Sequence, residues 1–223
     1  MPCMKNTAFH FFLHTARAAL IFSACTAIAE PPGAVPLPKP DTTGGKPLMQ
    51  ALSERKSQRE FDAKELPRQV LADLLWAGYG VNRPDGHRTA PSAMNRQTVD
   101  IYVVLKEGAF VYDAQHQQLL PVASGDQRPL AGTQDFVAQA PLNLVYVADY
   151  AKLGSSSESD KLLYTGAETG FIGQNVYLYC ASEGLATVIR ASVNREPLAK
   201  ALKLRPDQHI VLAQTVGYPK AHP

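Results

Sequence analysis

The stretch LSERKSQREF, residues 52–61, crowds Arg55, Lys56, Ser57 and Arg59 between Glu54 and Glu60. Guanidinium groups hold phosphate or carbonyl oxygens through forked hydrogen bonds, and a serine adds a neutral donor suited to a sugar-like hydroxyl. In an extended chain Arg55, Ser57 and Arg59 project to one side. The same cations would equally complement the dipole at a helix C-terminus. A second group lies in RTAPSAMNRQ, residues 88–97. Pro91 stiffens the backbone, and Ser92 and Asn95 flank the small Ala93. An asparagine offers a donor beside an acceptor, the pattern that pairs with the edge of a planar heterocycle. It also suits an ordinary turn leading into a strand, with Asn95 capping the backbone. A third group is GAETGFIGQNVYLYCASEGLATVIRAS, residues 166–192, with Gly166, Gly170 and Gly173 on one helical face. Glycine costs a helix about 1 kcal/mol per residue, so this face implies close approach of another helix. The partner is either an element of the same core or a second copy across a two-fold axis.

These groups need elements to position them. Helical spacing starts at Leu48, with Ala51 and Leu52 on the same face, and ends at the basic stretch. Leu66-Pro67 opens a second helix, whose apolar face is Val70, Leu71, Leu74 and Leu75. DIYVVL reads as a strand, AFVYDAQHQQLLPV as a hairpin turning at residues 114–117, and residues 134–139 as a short helix. LNLVYVAD is too apolar for an edge strand. GSSSESDK is a polar loop, and residues 154–160 are either a lid or plain surface. The longest helix is expected over residues 162–184 and reads as apolar nearly all round. ATVIRAS, EPLAKAL and HIVLAQTVGY give a strand, a short helix and a last strand. Helices and strands alternate around a hairpin, which favours an α+β fold over a doubly wound parallel sheet.

The first 29 residues stand apart. Lys5 and Arg17 are their only cations or anions, and the apolar run AALIFSACTAIA ends in an A-x-A pattern. This reads as a cleaved secretory signal over residues 1–29, too short to span a bilayer, and places the mature protein in the periplasm or outside the cell. The alternative is an amphipathic helix of a cytoplasmic protein. Residues 30–47, rich in proline and glycine, form an extended arm, and residues 48–223 the domain. Losing Lys5 and Arg17 brings the 22 basic residues level with the 20 acidic ones, which argues against nucleic acid as partner. Cys180 is then the one remaining cysteine, so no intrachain disulfide forms. His87, His116, His209 and His222 are scattered without metal-ligand spacing.

In order and combination, RKSQREF, TAPSAMNRQ, GQNVYLYCASEGL and the terminal VGYP resemble the FMN-dependent nitroreductase family, over about residues 48–219. LLWAGYGVNRPDGHRTAPSA looks closest to the branch containing thiazoline/oxazoline oxidases. The resemblance implies a nitroreductase-like α+β fold: a mostly antiparallel central sheet flanked by helices, with a long helix at a dimer interface. It implies a homodimer holding FMN between subunits. Arg55, Lys56, Ser57 and Arg59 match the flavin-binding stretch, with Arg55 and Ser57 toward the phosphate and ribityl chain and Arg59 toward the pyrimidine edge. Pro91, Ser92, Ala93 and Asn95 match a loop that meets the flavin largely from the partner subunit. Ile189, Arg190, Ala191 and Ser192 match the segment whose backbone N–H groups approach flavin N5 and O4. The chain ends at GYPKAHP without the usual basic tail, which passes the phosphate to Arg55 and Arg190. The implied activity is ping-pong hydride exchange with a flat nitroaromatic or quinone. NAD(P)H is the family's donor, whereas an exported chain would draw on a quinol, a partner protein or an oxidisable substrate. A flavin carrier with little turnover and a dehydrogenase of peptide-derived heterocycles are the alternatives.

Overall fold

The computed structural model describes residues 33–221; the expected leader, residues 1–29, lies outside them. The chain runs β1 (Val35–Pro36), α1 (Leu48–Glu54), α2 (Arg68–Tyr79), β2 (Val99–Val104), β3 (Gly108–Asp113), β4 (Gln118–Ser124), α3 (Asp135–Gln139), β5 (Leu142–Asp149), α4 (Glu158–Glu183), β6 (Ala186–Arg190), α5 (Arg195–Ala201) and β7 (Gln208–Gly217). The strands form one seven-stranded sheet in the order β1-β4-β3-β2-β5-β7-β6. Every neighbouring pair is antiparallel, as the α+β reading expects.

The sheet is covered on both faces. One layer packs α2 and α4 through Leu71, Leu74, Leu75, Ile172 and Val176 onto Ile101, Val103, Leu144 and Tyr146. The other packs Val137, Leu198 and Leu202 onto Tyr102, Val104, Val145 and Val147. Strand β5, buried along its whole length, therefore contributes alternate side chains to two cores. The β3–β4 hairpin turns over residues 114–117, with Gln117 at φ 51°.

The arm is extended but not detached. Val35 and Pro36 pair with Leu119 and Gln118, Leu37 is buried, and Asp41 N donates to Asp73 on α2. An edge strand tolerates Pro36 because a proline there leaves no ladder donor missing. Helix α4 begins four residues earlier than its apolar pattern does. Ser157 caps it by accepting from Asp160 N, while Ser157 Oγ also bonds Asp160 Oδ2 at 2.8 Å. Serine and aspartate that read as a loop are the helix's capping residues. Residues 158–160, assigned by sequence to a loop, are its first turn, and Arg96 bonds Leu153 O just before it. The helix ends at Gly184, whose φ of 69° is left-handed. Nor is α4 buried all round: Leu162, Leu163 and Phe171 are 65%, 64% and 47% exposed. None of the described helices is long and apolar enough to cross a membrane.

Candidate functional site

Strand β6 is the sheet's outer edge, so half its backbone groups face away from β7 and need other partners. The basic stretch supplies them. Leaving α1, the chain runs beside β6, and Gln58 N donates to Thr187 O at 3.0 Å. Two residues on, Ile189 N donates to the hydroxyl of Tyr177 on α4 at 3.0 Å. The same hydroxyl bonds Ser57 Oγ at 2.8 Å, and the Arg55 guanidinium sits 5.2 Å from the Tyr177 ring centre. The stretch continues to Phe61, which bridges to Pro219, and Asp62 N donates to Tyr218 O. Basic stretch, β6 and VGYP thus meet along one edge. Because edge groups alternate with a period of two, the next outward position is Ala191. Ala191 and Ser192 are exposed.

The ion pairs among the described residues leave out Arg55, Lys56 and Arg59, and Lys56 and Arg59 are exposed. An open cavity of about 420 Å³ lies beside them, lined in part by Lys56, Gln58, Tyr177 and Thr187. A cavity of about 460 Å³ elsewhere, between Phe61, Leu66, Leu105 and Arg128, touches none of the expected binding residues. Size does not decide between them; the exposed Lys56 and Arg59 and the exposed backbone at Ala191 and Ser192 do. Neutral polar groups, guanidiniums outside the ion pairs and the exposed backbone at Ala191 and Ser192 fit a phosphate-bearing heterocycle such as FMN.

Arg190 departs from expectation. Its side chain turns inward to the opposite face of the sheet and is 8% exposed. Nη2 donates to Asn143 Oδ1 at 2.9 Å, Nε and Nη2 reach Thr215 Oγ1, and Nη1 reaches Ala131 O and Ser192 O. With its donors engaged, this guanidinium has none to spare for the phosphate that the resemblance passed to it. The reason is strand alternation: Ile189 and Arg190 face opposite ways.

The loop at Pro91, Ser92, Ala93 and Asn95 is built separately. Met94, Asn95 and Gln97 all take positive φ, at 54°, 52° and 49°. Such backbone must be held by its surroundings. Ser92 Oγ accepts from Gln97 N, while the Gln97 side chain bonds Arg88 Nε and Gly86 O. The root of the loop is fixed by Glu168, buried on α4, which accepts from Thr98 N, Thr98 Oγ1, Val99 N and the Tyr79 hydroxyl. Burial, and then Glu168, push the Tyr79 phenol far up. Among the described residues no hydrogen bond joins residues 91–95 to the basic stretch or to residues 189–192. Glu168, which holds Thr98 and Val99, and Tyr177, which holds Ser57 and Ile189, lie about 13 Å apart along α4.

Tyr177 and Glu168 were not singled out as site residues in the sequence. Glu168 did leave a signal, as the one acid between Asp160 and Glu183 in an otherwise apolar helix. Tyr177 left none, since an aromatic on a core helix is ordinarily packing.

The nitroreductase family model matches residues 52–218. The chain belongs to the nitroreductase family. Membership makes it an oxidoreductase. A crystal structure from Ralstonia eutropha JMP134, provisionally named a nitroreductase, is 43% identical with a TM-score of 0.81, covering 85% of this chain and 90% of that one. A Methanocaldococcus jannaschii protein, also provisionally named a nitroreductase, is 29% identical over 180 residues, 76% of this chain and 90% of its own. The fold extends to the NADPH:FMN oxidoreductase of Vibrio harveyi, solved with NAD+, at 20% identity and a TM-score of 0.58, covering 79% of this chain and 70% of that one. The expected nitroreductase fold is thus present, with the long helix α4 spanning its centre.

Proposed function

We propose that the protein is an FMN-dependent oxidoreductase, active as a homodimer, that exchanges hydride with flat acceptors such as nitroaromatics or quinones in a ping-pong cycle. The observation that carries this reading is the Tyr177 hydroxyl. It joins Ser57 and Ile189, residues from two sequence-distant stretches that the resemblance assigns to one flavin. When bound, FMN supplies the hydride chemistry at N5. Arg55 and Ser57 hold the phosphate and ribityl chain, with Lys56 adding positive charge. Arg59 faces the pyrimidine edge and favours negative charge there. The exposed backbone at Ala191 and Ser192, next along the strand edge from Ile189, would meet the ring.

A second copy completes the site. Residues 91–95 make no hydrogen bond with the basic stretch or with residues 189–192 in the single chain, in keeping with their acting on the flavin of the partner subunit. The exposed apolar stripe of α4 offers the contact surface: Leu163, Gly166, Ala167, Gly170 and Phe171 recur at helical spacing. A Cβ added at Gly166 or Gly170 meets nothing within 4 Å in the single chain, which leaves room for a second helix. NAD(P)H is the expected donor in the cytoplasm. If residues 1–29 direct export to the periplasm, a quinol or partner protein replaces it.

Purified protein should show flavin absorbance and bleach rapidly on stopped-flow mixing with NADH or NADPH, then recover on adding a quinone. A colourless protein that also ignores added FMN overturns the proposal. Bleaching by dithionite alone favours a carrier role instead.

A further inference from the structure

Among the described residues, Arg190 is a buried cation with no anion beside it. Its hydrogen-bond acceptors are the carbonyls of Ala131 and Ser192, the amide oxygen of Asn143 and the hydroxyl of Thr215, all neutral. The guanidinium lies against bare backbone at Gly132, where a Cβ would collide with it. Burial alone pushes its pKa down, to about 10, so the group stays charged at neutral pH. Burying a cation among neutral dipoles is costly, and no ion pair among the described residues offsets that cost. Hydrogen bonding accounts for the position of the side chain but not for the charge.

The charge sits directly behind residues 189–192. Nη1 lies 3.2 Å from Ser192 O, while Ala191 and Ser192 themselves are exposed on the outer side. From this arrangement we infer that Arg190 is an electrostatic positioning residue, whose uncompensated charge favours the reduced, negatively charged form of the bound flavin. The inference rests on FMN binding at the site described above. Taking up two electrons and one proton leaves the flavin ring with one negative charge. A fixed cation behind low-dielectric backbone stabilises such a charge over longer distances than an exposed one does. Arg190 touches neither phosphate nor ring; it acts through the field at the backbone that meets the ring.

The test is the midpoint potential of the FMN-loaded protein, titrated by absorbance against a reference dye. The variants are Arg190→Lys, Arg190→Met and Asn143→Asp. Asn143→Asp keeps the acceptor 2.9 Å from Nη2 but gives the guanidinium a counter-charge. A purely structural Arg190 would leave the potential of folded, FMN-loaded Arg190→Met unmoved. Arg190→Lys is expected to keep the wild-type potential. Arg190→Met and Asn143→Asp are expected to shift the two-electron equilibrium at least tenfold toward the oxidised form, about 30 mV. Folded, FMN-loaded Asn143→Asp with the wild-type potential overturns the inference, as does a shift as large in Arg190→Lys as in Arg190→Met. A wild-type protein that takes up no FMN overturns the underlying reading as well, and its absorbance reveals this before any potential is measured.

Discussion

Helix α4 has two faces, and they are inverted relative to an ordinary surface helix. The face against the sheet carries Thr165, Glu168 and Thr169, all at most 1% exposed, among its apolar residues. The outward face carries Leu162, Leu163 and Phe171, each roughly half exposed or more. A helix built only to close a monomer core would place these the other way round. The inner polar groups fix things: Glu168 ties down the start of β2, and Tyr177 joins Ser57 to Ile189. The outer apolar groups wait for a surface. In the proposed dimer the helix would serve as a spine shared by two half-sites, its inner side fixed by hydrogen bonds and its outer side offering apolar area.

The largest expected effect is on the inner face. Glu168→Ala leaves the Tyr79 hydroxyl, the Thr98 N–H and hydroxyl and the Val99 N–H without their acceptor. Orphaning several buried donors should cost about 4 kcal/mol in urea unfolding. A loss under about 1 kcal/mol would show that the inner polar face is incidental, and the contrast between the two faces would fail.

The outer face comes next. Leu163→Glu puts a charge into the proposed interface and should weaken the dimer about 100-fold in sedimentation equilibrium, equivalent to about 2.7 kcal/mol. Bound FMN should fall in parallel, since residues 91–95 would no longer reach the neighbouring flavin. An intact dimer with full flavin content would remove this face from the interface.

Much of this division was legible in the sequence and some was not. The glycine spacing at 166, 170 and 173 announced a close approach, but the three glycines do different work. Gly173 meets Ile189 Cδ1 of the same chain, whereas Gly166 and Gly170 open outward. Periodicity shows that residues share a face, not what covers it. The strands and the hairpin at residues 114–117 followed from alternation and turn residues, because those signals are local. The start of α4 did not, since Ser157 and Asp160 look alike in a loop and in a cap. The basic stretch was visible by composition, yet Arg55 and Arg190 look equivalent in a sequence. Alternation along β6 turns Arg190 into a buried network, while Arg55, at the end of α1, lies over the Tyr177 ring.

Gly170→Ala separates the two settings of α4 more finely. On a helix face open to solvent, the methyl should stabilise the protein by about 1 kcal/mol through propensity alone. Against a second helix it should obstruct close approach. The expected result is a dimer weakened about tenfold while the monomeric domain unfolds at higher urea. Stabilisation without any change in assembly would assign Gly170 to solvent and shift the contact toward Phe171.

The smallest effect tests the inner face where it meets the site. Tyr177→Phe keeps the ring under Arg55 and removes only the hydroxyl shared by Ser57 and Ile189 N. The Ile189 N–H lies on the sheet edge, where water can replace the lost acceptor, so stability should fall by about 1 kcal/mol. FMN should dissociate several-fold more readily, because the basic stretch and residues 189–192 lose their common tether. Ser57→Ala should produce a loss of similar size. In the double variant the two losses should combine to less than their sum, since both remove the same bond. Strictly additive losses would mean that Ser57 and Tyr177 act on the cofactor independently, and the inner face of α4 would then stabilise the fold without organising the site.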